Sequence, residues 1–162
     1  MQQYTSMNTS INSTKMPKIY TLVSGLIDGN ASVIDYGCGK YFDNYETPFE
    51  CVGYDPYNRP KAELLDNKYD YALCSNVLNV IKESTERRKV LETLRDLAAT
   101  TYITVYEGDR TGKGRETKAD CYQLNRKRGD YIPELVDVFG VGNVKLVKGM
   151  FECRRDVVAW KH

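Results

Sequence analysis

The chain has 162 residues, with 23 Lys and Arg against 22 Asp and Glu; the length suits one domain with a sizeable core, and the charge balance argues against gripping long duplex DNA by bulk electrostatics. Five cysteines at 38, 51, 74, 121 and 153 form no Cys-x-x-Cys pair, which points to a reducing compartment and no structural zinc. The only histidine is His162, which excludes a His-based triad, a Cys-His nucleophile and a multi-His metal site.

Residues 1–13 are rich in Thr, Ser, Asn and Gln and read as a flexible tail, with residues 14–162 forming the single domain. No apolar run approaches the ~20 residues of a membrane span, and the polar start is not signal-like, so the expected location is the cytoplasm. Ser13 or Thr14 predicts a helix N-cap, followed by Pro17 and an apolar face of Ile19, Tyr20, Val23 and Leu26. Val33 to Tyr36 predicts the first strand. It runs into Asp35-Tyr36-Gly37-Cys38-Gly39, the pattern of a buried strand that must turn sharply and bring its backbone close to a ligand, since glycine tolerates positive φ and has no Cβ to collide. A short helix or turn follows over Tyr41 to Tyr45.

Cys51 to Tyr54 predicts the second strand, closed by Asp55. The 20-residue step from Asp35 to Asp55 is the spacing at which α/β nucleotide folds place a carboxylate on ribose hydroxyls. Only 14 residues separate Asp55 from Asp70, too few for another helix, strand and helix. Tyr69 to Ser75 then predicts a strand and Thr85 to Ala98 a helix with Val90, Leu91, Leu94 and Leu97 on one face. Tyr102 to Tyr106 reads as a strand. Tyr131 to Phe139 predicts a helix, Val144 to Val147 a strand, and Phe151 to Trp160 a final strand pairing with it. The alternation gives an α/β fold whose mostly parallel sheet has an antiparallel C-terminal edge.

The Asp-x-Gly-x-Gly motif and Asp55 resemble the class I, Rossmann-like S-adenosylmethionine (SAM) methyltransferases, in particular the compact ones encoded by bacteriophages. Tyr41 replaces the third glycine of the fullest pattern. The resemblance covers residues 33 to 106. It implies SAM as cofactor, a trimmed fold without its third strand, and SAM contacts from Asp35, Tyr36, Gly37, Gly39, Asp55, Pro56, Tyr57, Ser75 and Asn76; the place of Tyr57 just after Asp55 suits either stacking on adenine or an ordinary half-exposed turn aromatic. A leading helix packs beside SAM in this family, so Asn12, Ser13, Thr14 and Lys15 are further candidate contacts. Ser75-Asn76-Val77-Leu78-Asn79-Val80-Ile81 resembles the fourth motif, beside the transferred methyl group. Asn76 matches only its first position, and Val77 and Leu78 stand where DNA amino-methyltransferases carry prolines. Asn76, with Glu107 or Asp109, is expected to orient or deprotonate the nucleophile. Cys74 lacks the Pro-Cys turn of cytosine-C5 enzymes and fits a buried strand position.

The segment from Glu107 to Arg128 carries seven Lys or Arg and glycines at 108, 112 and 114. Its length marks a binding loop, the alternative being a solvated surface connection, and its basic surplus favours an anionic acceptor, a nucleotide or nucleic acid, held by Arg115, Gln123, Asn125, Arg126 and Arg128. The alternatives are a non-catalytic binding protein on this fold, such as a viral protein engaging a host factor in the host cytoplasm, and a SAM lyase.

Overall fold

A computed structural model describes residues 15–118 and 120–155. In chain order these form α1 (Lys18–Val23), β1 (Val33–Tyr36), β2 (Val52–Tyr54), β3 (Tyr69–Ser75), α2 (Ser84–Leu97), β4 (Ala98–Thr104), β5 (Arg115–Lys118), β6 (Cys121–Gln123), α3 (Ile132–Phe139), β7 (Val144–Val147) and β8 (Met150–Arg154), with short 3₁₀ turns between them. Six strands make one sheet in the order β2-β1-β3-β4-β8-β7. The first four are mutually parallel, and β8 and β7 close the far edge antiparallel.

Strand alternation explains the layering. Ile34, Ala72, Cys74 and Ile103 project to one face and pack with Leu91, Leu94 and Leu97 of α2 and Leu135, Val138 and Phe139 of α3. Val33, Leu73 and Tyr102 project to the other and pack with Ile19, Tyr20 and Val23 of α1. Both faces are thus covered, the usual condition of a parallel sheet, whose strands read as continuous apolar runs for that reason. Arg87 lies buried in this layer, with Nη1 donating to the Ile81 and Lys82 carbonyls at 2.7 and 2.9 Å and Nε to Glu134 at 2.8 Å.

Between β2 and β3 the chain makes only a 3₁₀ turn over Ala62–Asp66, so the third strand of the full pattern is absent, as the short spacing requires. Other boundaries shift. Ala98, expected to end a helix, begins β4, and that strand stops at Thr104 instead of running from Tyr102 to Tyr106. The stretch from Glu107 to Arg128 is not one loop but contains the β5–β6 hairpin. The proposed N-cap at Ser13 or Thr14 and residues 156–160 of the expected last strand lie outside the described residues; within them Pro17 occupies the N-cap of α1, and β8 starts at Met150 and ends at Arg154.

Candidate functional site

The sheet order reverses beside β1, with β2 on one flank and β3 on the other, and in open α/β sheets ligands sit at such a switch point beyond the carboxyl ends of the strands. The ends of β1, β3 and β4 there enclose a cavity of about 680 Å³, roofed on one side by α1.

At the end of β1, Gly37 and Gly39 adopt φ of 85° and 80°, a region that side chains rarely tolerate. A Cβ on Gly37 would lie 2.6 Å from Cγ2 of Val77, so this glycine lets the β1 turn pass directly against the turn after β3. The loop is stitched to β2: the N–H groups of Gly37 and Cys38 donate to the Tyr54 carbonyl at 2.7 and 3.1 Å, and that of Gly39 donates to Asp55 Oδ2 at 3.0 Å.

Asp35 is fully buried at the cavity wall. Its Oδ2 accepts a hydrogen bond from the hydroxyl of Tyr20 on α1, while Oδ1 is buried with no hydrogen-bond partner. Burial pushes the Asp35 carboxyl up to about 7; the Tyr20 hydrogen bond opposes that rise, and the charge of Asp55 adds to it. A buried acceptor left without a donor is uncommon and costly in a folded protein.

At the end of β3, Asn76 takes φ of 56°, a left-handed conformation that costs a non-glycine residue on the order of 1 kcal/mol and clusters at ligand sites. Its N–H donates to the Thr104 carbonyl at 2.9 Å, and the Thr104 hydroxyl donates to Ser75 Oγ at 3.2 Å. These bonds hold the exposed Asn76 at the cavity. Past β4, the buried Asn79 and Gln123 fix Tyr106: Asn79 Nδ2 donates to Gln123 Oε1 at 3.1 Å, the Tyr106 N–H to Asn79 Oδ1 at 3.3 Å, and Gln123 Nε2 to the Tyr106 carbonyl at 3.0 Å. The hairpin is thereby anchored to the floor of the site.

Of the expected site residues, Asp35, Gly37, Gly39, Ser75, Asn76 and Gln123 line this cavity, as does Lys15. Others are placed elsewhere. The Tyr36 ring stacks on Tyr54 at 5.3 Å within the packed layer, and burial pushes its phenol up to about 12. Asp55 is completely buried with Oδ1 accepting from the N–H groups of Tyr57 and Asn58 at 2.9 and 3.0 Å; it organises the turn containing Pro56 and the exposed Tyr57 and does not itself line the cavity.

Glu107 and Asp109, expected near the nucleophile, do not line the cavity and hold the segments flanking the hairpin: Glu107 Oε2 accepts from the Arg128 N–H at 2.6 Å, and Asp109 Oδ1 from Thr111. Asn125 is buried and bridges the hairpin base, accepting from the Asp109 N–H at 3.1 Å and donating to the Lys113 carbonyl at 2.9 Å. Arg126 pairs with Glu134 and lies over the Tyr131 ring, and Arg128 donates to the Gly149 carbonyl at 2.7 Å. Arg115 is exposed on β5. Neither they nor Asn125 line the cavity. Cys74 is buried, and burial pushes its thiol up, which removes it as a nucleophile.

Lys18, Lys40, Tyr45, Asn79 and Tyr106 also line the cavity and were not singled out from the sequence. Asn79 alone carried a signal, as the polar residue inside an apolar run. Among the described residues no group of three or more His, Cys, Asp or Glu is arranged to hold a metal ion, and no helix is long and apolar enough to cross a membrane.

No family model and no curated protein sequence matches the chain. Solved structures do. The chain superposes with a TM-score of 0.62 on a Burkholderia thailandensis 1,6-didemethyltoxoflavin-N1-methyltransferase with bound 1,6-didemethyltoxoflavin and S-adenosylhomocysteine (SAH), at 16% identity over 93% of this chain and 81% of that one. Magnesium protoporphyrin IX methyltransferase from Synechocystis with bound SAM gives 0.51 at 18% identity, over 86% and 79%. An O-methyltransferase family protein from Burkholderia thailandensis gives 0.54 at 15% identity, over 86% of this chain and 55% of that one. The chain therefore has the Rossmann-like fold of SAM-dependent methyltransferases.

Proposed function

We propose that this chain is a methyltransferase that takes a methyl group from SAM and passes it to a small acceptor in the cavity at the ends of β1, β3 and β4. The observation that carries the reading is the buried, unpartnered Oδ1 of Asp35 beside a positive-φ glycine turn. A carboxylate so placed suits a cationic ligand with a donor to offer, and SAM carries an ammonium group. The fold's likeness to SAM- and SAH-bound methyltransferases supports the same assignment.

Asp35, Gly37, Gly39 and Ser75 would hold the cofactor. Asp55 would contribute through Gly39 and through the turn that presents Pro56 and Tyr57. When bound, SAM supplies a methyl carbon already activated by its sulfonium, so the protein's task is alignment and exclusion of water. Asn76, held in an unusual conformation at the cavity, is the residue placed to orient an acceptor. The volume of about 680 Å³ falls in the range of small-molecule sites. With Arg126 and Arg128 engaged within the fold, the hairpin offers a nucleic acid fewer cations than its sequence suggests.

Calorimetry with SAH tests the cofactor site: binding in the micromolar range is expected, weakened at least about tenfold in Asp35→Asn. Unchanged affinity in that variant would remove Asp35 from the site. Release of SAH from SAM with an acceptor separates methyl transfer from cofactor binding alone and from a lyase, whose product is not SAH.

A further inference from the structure

We propose that the acceptor is an organic anion on an aromatic body, recognised at the cavity rim by the ammonium groups of Lys18 and Lys40; this rests on the methyl-transfer reading above and names its substrate class. Three lysines, Lys15, Lys18 and Lys40, line the cavity against a single carboxylate, Asp35. That carboxylate is buried and engaged by Tyr20. Lys18 opens α1 and Lys40 follows the glycine turn; both are exposed, and neither makes an ion pair among the described residues. In a chain whose charges nearly cancel, the rim is a local positive field.

The acid–base inventory of the wall leads to the same substrate. No histidine, no glutamate and no second aspartate is among the described residues lining the cavity. Residues 1–14, which lead into Lys15, contain none of the three in their sequence. The phenol of Tyr45, a further wall residue, is pushed up by burial, away from service as a base. An acceptor that must first lose a proton finds little help here, whereas one that arrives ionised needs none.

For such an acceptor the lone pair on its oxygen or nitrogen forms the new bond to the methyl carbon. The carbon–sulfur bond breaks with its pair left on sulfur, anion and sulfonium cancel, and no proton moves. Tyr41, Tyr45 and Tyr106 supply aromatic walls for the organic body, with Tyr106 62% exposed at the mouth.

The test uses the full chain saturated with SAH and two probes of one shape, benzoate and benzamide, titrated by calorimetry at neutral pH. Benzoate should bind about tenfold more tightly than benzamide, and the preference should fall below about threefold in Lys18→Gln/Lys40→Gln while returning in Lys18→Arg/Lys40→Arg. SAH affinity should stay within about threefold in both double variants. Arg115→Gln should leave the preference intact. Equal binding of the probes, no benzoate binding at millimolar concentration, or a preference that survives loss of both lysines would overturn the proposal. So would a large loss of SAH affinity with the preference retained, which would assign the lysines to the cofactor's own carboxylate. Failure of SAH to bind the wild-type chain would instead strike the methyl-transfer reading beneath it.

Discussion

Replacing Asp35 by Asn should stabilise the ligand-free protein, increasingly so as pH rises. The carboxyl titrates at about 7 in the folded chain against an ordinary 3.8, so the native state holds its proton more tightly than the unfolded state does. Stability then falls with rising pH between those two values, since the unfolded chain gains from ionising while the folded one does not. Above the folded value the loss is complete. At 1.36 kcal/mol per pH unit the gap between 3.8 and about 7 amounts to on the order of 4 kcal/mol. Asn preserves the shape and an acceptor for the Tyr20 hydroxyl but cannot ionise. Urea unfolding of both proteins should therefore give nearly equal stabilities around pH 4 and an advantage for Asp35→Asn of a few kcal/mol around pH 8. SAH should reverse the ranking, because a cationic donor at Oδ1 stabilises only the ionised carboxylate. A variant less stable than wild type at the higher pH without ligand would refute the claim that this carboxylate is buried at a cost.

Asn76→Gly relieves the left-handed strain while deleting the side chain, so it should fold at least as well as wild type and bind SAH within about threefold yet lose kcat, the pattern of an interaction made chiefly in the transition state; parallel losses in kcat and SAH affinity would make Asn76 a cofactor ligand. Asp55→Ala orphans the N–H groups of Gly39, Tyr57 and Asn58 and should cost about 2–4 kcal/mol of unfolding free energy, with any weakening of SAH binding secondary to that. Gln123→Ala leaves Asn79 and the Tyr106 carbonyl short of a partner; hydrogen exchange should show the hairpin amides opening faster, whereas unchanged exchange would detach the hairpin from the site. Arg126→Ala should lower stability through Glu134 and Tyr131, and an effect confined to acceptor binding would restore that arginine to the substrate loop.

The parallel half of the fold was legible because its signal is burial on both faces. Val33–Tyr36 and Tyr69–Ser75 fall where their apolar runs predict. The α2–β4 boundary was harder to read. Ala98 and Ala99 favour a helix by propensity, yet pairing of Ala98 with Tyr69 commits them to the sheet, a tertiary contact that outweighs a local preference worth a fraction of a kcal/mol. The hairpin was hidden for a related reason. Every residue of β5 is exposed, so no alternation of apolar and polar side chains marks it, and its cohesion comes from Asn125 and Gln123 acting at long range.

Charge in the sequence misled about the site because a count of lysines and arginines says nothing of their partners. Glu134 lies on the far side of the hairpin in sequence, yet it takes both Arg87 and Arg126, and the Gly149 carbonyl takes Arg128; cations read as a phosphate clamp are spent inside the fold. Of the lysines that do reach the cavity, Lys18 comes from a helix start and Lys40 from the residue after a glycine turn, and no spacing rule connects these two. They converge because the switch point sets α1 and the β1 turn on one rim. The Asp-x-Gly-x-Gly strand end could thus be read locally, since its chemistry lies within five consecutive residues. The proposed acceptor site could not, because the segments that line it meet only when the sheet forms.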